Sequence, residues 1–131
     1  MASPLTHAVV AVTLAAVHGV NPRAAAPWWL GIACAIAPDL DALGYWLGVS
    51  YGSFWGHRGF THSIAFAVLV SGMSAWWMGR SSDGNQVRLW SLYFLATLSH
   101  GLLDALTDGG LGVALLDCVQ YLGNLTHTLS G

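Results

Sequence analysis

Of 131 residues only 8% are charged, while 55% are hydrophobic and seven are Trp; an ordinary soluble domain is about 25% charged. The chain is long enough for one core but has too few charges to cover its outside. Its apolarity excludes disorder, and four basic residues with a net charge of −2 provide no basic stripe for nucleic acid. Cys34 and Cys118 make neither a disulfide framework nor a Cys-based zinc site. What remains is a small polytopic membrane protein.

Four apolar runs follow in chain order: Leu5–Val20, Ala24–Pro38, Ile64–Met78 and Leu89–Leu103. Each is shorter than the roughly 20 residues that cross the hydrocarbon of a bilayer. Alone they would suit buried helices of a soluble bundle as well. Two features favour the membrane: polar flanks that lengthen each run if they face the bundle interior, and loops with almost no charge to solvate a soluble surface. Asn21-Pro22 ends the first run, and Pro27 fits the first turn of the second. The polar stretch Arg80–Arg88 is the loop between the third and fourth, and Gly109-Gly110 ends the fourth. Strand signals are weak because no segment alternates apolar and polar for long. A cleaved signal peptide is the rival reading of the first run. It needs a basic segment ahead of the apolar stretch, and the first Arg is Arg23, after it.

If all four runs span, the start of the first, the end of the second, the start of the third and the end of the fourth share one face. His7, Asp39, Asp41, His57, Arg58, His62, His100, Asp104 and Asp108 then collect there. Ionisable groups at membrane depth are costly and usually mark function. Arg23, Arg80, Asp83 and Arg88 fall on the opposite face, with His18 near it. The Trp residues cluster at run ends, as in an interfacial aromatic belt.

His100 and Asp104 are four residues apart, hence neighbours on one helical face. Asp108 continues that face. The pair reads equally as metal ligation and as a His–Asp hydrogen bond that satisfies both groups. Pro38-Asp39-Leu40-Asp41 bends the chain. Its carboxylates either cap a helix end or converge on a ligand in a turn. His57-Arg58-Gly59-Phe60-Thr61-His62-Ser63 packs two imidazoles, a guanidinium and two hydroxyls into seven residues, which packing alone does not call for. Thr61 or Ser63 is a candidate cap for the third run. His7 reads as a polar interface residue or, because it falls on the shared face, as a ligand.

His7, Asp41, His57, His62, His100 and Asp104 are the candidate metal ligands. Mixed imidazole and carboxylate donors suit zinc, with manganese or iron as alternatives. The donor number allows one or two ions, and two would suit phosphoester hydrolysis. In the reaction these residues suggest, activated water attacks an ester. Asp39 or Asp108 acts as base, and Arg58 stabilises developing negative charge.

The ordered set Thr6-His7, Pro38-Asp39-Leu40-Asp41, His57-Arg58-Gly59-Phe60-Thr61-His62-Ser63 and His100 to Gly109 resembles the YdjM-like family of bacterial inner-membrane proteins described as metal-dependent hydrolases. The likeness covers about residues 1–116. It implies a multi-helix inner-membrane protein with hydrolase activity, and a distant relation to the zinc-dependent phospholipase C and P1 nuclease group. His7, Asp39, Asp41, His57, Arg58, His62, His100 and Asp104 match the family's pattern. After Leu116 the sequence departs from it, so residues 117–131 read as a divergent, truncated tail. The Arg distribution then puts the site face toward the periplasm.

The expected fold is all-α, a membrane-embedded bundle of four main helices. The expected function is a metal-dependent hydrolase of a phosphoester or phospholipid substrate, with membrane lipid as its other partner. The rival is a non-enzymatic metal or proton transporter subunit, which should place polar residues along the whole length of the spans. A third reading is a soluble helical metalloprotein.

Overall fold

A computed structural model of the chain describes residues 3–50, 53–56, 59–80 and 85–106. Among these there are four α-helices and no strand, as the all-α expectation has it. Helix α1 (Pro4–Val17) starts at Ser3, whose hydroxyl accepts the Thr6 N–H at 3.3 Å, with Pro4 in the first turn. It stops three residues before the apolar run does. Gly19 takes a left-handed φ of 60°. The Gly19 and Val20 N–H groups then donate back to the Ala16 and Ala15 carbonyls at 2.9 and 3.0 Å. That closure satisfies the last carbonyls of the helix. Asn21-Pro22 therefore lies beyond the helix end rather than making it.

Helix α2 (Ala25–Ile36) carries Pro27 in its first turn and continues into a 3₁₀ segment, Ala37–Leu47. Pro38 has no N–H to give an α-helical partner, and the chain tightens there instead of turning away. A 3₁₀ run of this length is uncommon. It ends at Gly48, φ 79°. A short 3₁₀ turn, Phe60–His62, leads into α3 (Ile64–Gly79). Of the two candidate caps Ser63 is the one used: its hydroxyl accepts the Phe66 N–H at 3.2 Å. Helix α4 (Gln86–Ala105) is capped by Asn85, whose side-chain oxygen accepts the Val87 and Arg88 N–H groups at 3.0 and 3.4 Å.

Helix α4 is the centre of the bundle and packs on α1, α2 and α3. The interior is rich in small residues, with Met78, Leu89, Leu92 and Tyr93 as its large members. Ala11, Ala35 and Ala96 meet in one buried cluster; Ala15, Cys34, Ala75, Leu92 and Tyr93 belong to another. Large apolar side chains point outward, among them Val9, Val12, Leu69, Met73 and Leu102. A soluble amphipathic bundle has the reverse arrangement, whereas close helix approach through small residues is how helices pack in lipid. Exposed Trp residues mark both ends, Trp46 and Trp55 at one and Trp29, Trp76 and Trp77 at the other. One helical stretch among the described residues, Ala25–Leu47 with 23 residues, is long and apolar enough to cross a membrane; Pro4–Val17 and Ile64–Gly79 are apolar but shorter.

Tyr93 is fully buried, and among the described residues its hydroxyl has no hydrogen-bond partner. An unsatisfied buried hydroxyl costs about 1–3 kcal/mol. Tyr93→Phe should therefore leave the detergent-solubilised protein at least as stable as the parent. A clear fall in melting temperature would show that the hydroxyl is bonded after all.

A candidate metal centre at one end of the bundle

The up-and-down order of the helices brings the start of α1, the 3₁₀ segment after α2, the 3₁₀ turn before α3 and the last turns of α4 to one end. Asp39, His62, His100 and Asp104 each offer a ligand atom there, all within 4.8 Å of one another. His62, His100 and Asp104 are 3% exposed or less. Asp39 is the open member, with 21% of its side chain accessible.

Each imidazole of the set is held by one ring nitrogen and points the other inward. His100 Nδ1 donates to the Ala35 carbonyl at 2.7 Å. Pro38 stands three residues beyond Ala35, where a 3₁₀ donor would be, and has no N–H; His100 uses the carbonyl instead. Its Nε2 is left facing Asp39 Oδ1 at 3.2 Å and Asp104 Oδ2 at 4.0 Å. His62 Nδ1 lies 3.3 Å from Asp41 Oδ2, and the Thr61 hydroxyl donates to that same oxygen at 2.5 Å. The His62 Nε2 faces Asp104 Oδ2 at 3.8 Å. A histidine anchored through one nitrogen to a carbonyl or carboxylate, with the other turned to a shared point, is the usual arrangement of a metal ligand.

The spacings agree with that chemistry. Charge-assisted hydrogen bonds close to about 2.7–2.9 Å, and 3.8 or 4.0 Å is too long for one. Donor atoms held about 2.0–2.2 Å from a tetrahedral zinc ion are about 3.3–3.6 Å apart. The Asp39–His100 pair is already at that spacing, the two imidazole–Asp104 pairs exceed it by a few tenths of an ångström, and the remaining pairs of the set lie within 4.8 Å. His7 gives a further sign. It is fully buried and stacked on His100, ring centroids 3.8 Å apart. Neither of its ring nitrogens makes a hydrogen bond among the described residues. Its Nε2 lies 3.9 Å from Asp104 Oδ1. Buried polar atoms are nearly always satisfied, so these residues fit a bound cation.

The sequence reading placed His7, Asp39, Asp41, His62, His100 and Asp104 on one face, and the fold brings all six together. The two Asp residues of the 3₁₀ segment part company. Successive residues of a 3₁₀ helix are turned by a third of a circle, so Asp39 reaches His100 on α4 while Asp41 reaches His62 and Thr61. Asp39 thus joins the four-donor set, and Asp41, expected as a ligand, buttresses one. His57, Arg58 and Asp108 lie outside the described residues, as does the tail. The Ala35 carbonyl and the Thr61–Asp41 bond were not anticipated. Thr61 had stood out only as a possible cap, and a main-chain carbonyl leaves no mark in sequence. At the far end, His18 caps α1 and touches Ser91 at 3.3 Å, and Arg80 lies over Trp76 at 3.7 Å.

A helical protein, with four α-helices among the described residues and a buried His/Asp cluster at one end of an outwardly apolar bundle, is the class these features define. The chain belongs to the YdjM inner membrane protein family, whose sequence profile matches residues 1–116. It is similar to the inner membrane protein YbcI of Escherichia coli (strain K12), with 38% identity over 118 residues, 88% of this chain and 67% of the relative. No solved structure matches, and the expected distant kinship with phospholipase C and P1 nuclease gains no support from these comparisons.

Proposed function

We propose that the chain is a multi-pass inner-membrane hydrolase that uses a divalent metal, zinc foremost, to cleave a phosphoester at the membrane surface. One observation carries this reading: four buried or half-buried donors on three chain segments, Asp39, His62, His100 and Asp104, gather at one point. A bound divalent ion would supply Lewis-acid activation of water and of an ester oxygen. The protein's part is positioning. The Ala35 carbonyl and Asp41 fix the two imidazoles, and Asp104 faces both. Asp39, the accessible member, lies where a substrate would approach and is placed to accept a proton. The roles read for Arg58 and Asp108 rest on the sequence. Embedding by several spans is supported by the small-residue interior, the outward apolar side chains and the Trp residues at both ends.

The distribution of polar groups favours hydrolysis over transport. Among the described residues the imidazoles and carboxylates of the bundle interior gather at one end, with the Cys34 thiol and the Tyr93 hydroxyl the titratable groups further along. Between His100 and His18 the interior offers Ser71 and Thr97, whose hydroxyls donate to the Val68 and Tyr93 carbonyls of their own helices, and the Cys34–Ser74 contact. A transport relay needs titratable groups along its length. The test is a panel of phosphodiester and phospholipid substrates offered to zinc-loaded protein in detergent. Hydrolysis that a chelator abolishes, and that Asp104→Asn lacks, is the expected result. Metal or proton flux in proteoliposomes without hydrolysis would overturn the proposal in favour of the transporter.

A further inference from the structure

The two oxygens of Asp104 face different partners. Oδ2 is turned to His62 and His100, at 3.8 and 4.0 Å. Oδ1 is turned to His7, at 3.9 Å. His7 is not one of the four residues whose donors share a point. Four protein donors are as many as one tetrahedral ion takes, so one ion does not call for His7 as well. Yet His7 is wholly buried, and neither ring nitrogen finds a hydrogen bond among the described residues. Its ring is nearly parallel to that of His100, at 20° and 3.8 Å between centroids. Two stacked imidazoles facing the two oxygens of one carboxylate hold their donors side by side. Paired metal ions stand about 3.5–4 Å apart in such centres, a separation comparable to that between the two rings.

We infer that Asp104 is a bridging carboxylate and the centre is dinuclear, with His7 the ligand that recruits the second ion. This deepens the metal-centre reading and rests on it. Among the described residues the second ion has His7 and Asp104 Oδ1 as protein donors, and positions not taken by protein would be the ones to receive water and a phosphoester oxygen. A pair of ions clamps the attacking and leaving oxygens of a displacement, which makes a phosphodiester or phosphomonoester the fitting substrate class. His7 is then the residue that separates a one-ion from a two-ion site.

The experiment counts metal rather than turnover. The full chain, purified in detergent, is loaded with Zn(II) or Mn(II), dialysed, and its ions per chain measured by mass spectrometry. About two ions per chain are expected for the parent and about one for His7→Gln, with unchanged helix content by circular dichroism. Mn(II) resonance of the parent needs no variant: exchange broadening between neighbouring ions is expected, against the six-line signal of an isolated ion. One ion per chain in both proteins, with an isolated-ion spectrum, overturns the bridge and leaves the single-metal reading standing. No retained ion in the parent overturns both.

Discussion

His100→Ala should reduce the metal affinity of the purified chain by more than the roughly 10–100-fold that loss of an outer-shell partner costs. The substitution removes a donor that lies 3.2 Å from Asp39 and within reach of Asp104. It also removes the donor to the Ala35 carbonyl. A buried carbonyl left unsatisfied costs about 1–3 kcal/mol, so the variant should also melt earlier. His18→Ala, at the other end of α1, separates the two effects. It removes an imidazole from the same bundle and should leave metal affinity unchanged. Competition with a chromophoric chelator measures both. Parental affinity in His100→Ala would remove His100 from the ligand set.

Gly59→Ala is expected to damage the centre from outside it. A Cβ at Gly59 would run into the Phe54 carbonyl oxygen and crowd that of Gly56. Both obstacles are backbone, which cannot swing aside as a flexible side chain can. The Phe54 carbonyl also accepts the Phe60 N–H at 3.0 Å, and the Gly56 carbonyl accepts the Gly59 N–H at 3.0 Å. Relief therefore has to come from opening the turn that delivers Thr61 and His62. Overpacking of this kind costs about 1–3 kcal/mol. The expected outcome is a lower melting temperature together with a reduced metal content per chain. Unchanged metal content would mean that the His62 turn is positioned by Ser63 and α3 alone.

What the sequence made legible was the coarse geometry. The spacing of His100 and Asp104 put them on one face because helical periodicity is local. Counting crossings placed His7, the Pro38-Asp39-Leu40-Asp41 segment and His62 at the same end. That parity argument needs only that neighbouring helices run in opposite directions. The division of labour between Asp39 and Asp41 was out of reach. It depends on a 3₁₀ segment eleven residues long, and Pro38 read as a bend where the chain in fact tightens. The early end of α1 was hidden for a similar reason, since Gly19 closes the helix inside an apolar run that continues to Val20. The anchoring of His100 was illegible because its partner is a main-chain atom 65 residues away. His7 looked the weakest candidate along the chain. Only its burial and its stacking on His100 reveal its place in the centre.

Three methyl groups govern how far apart the donors stand. Ala11 lies one helical turn beyond His7, Ala96 one turn before His100, and Ala35 carries the carbonyl that holds His100; the three form one buried cluster. The longer side chains packed against this cluster, Leu14 and Ile32, are only partly buried. Any added bulk would pass straight into the separation of α1, α2 and α4. The bite of the centre is thus calibrated by the thinnest layer of the protein, one turn beneath the chemistry.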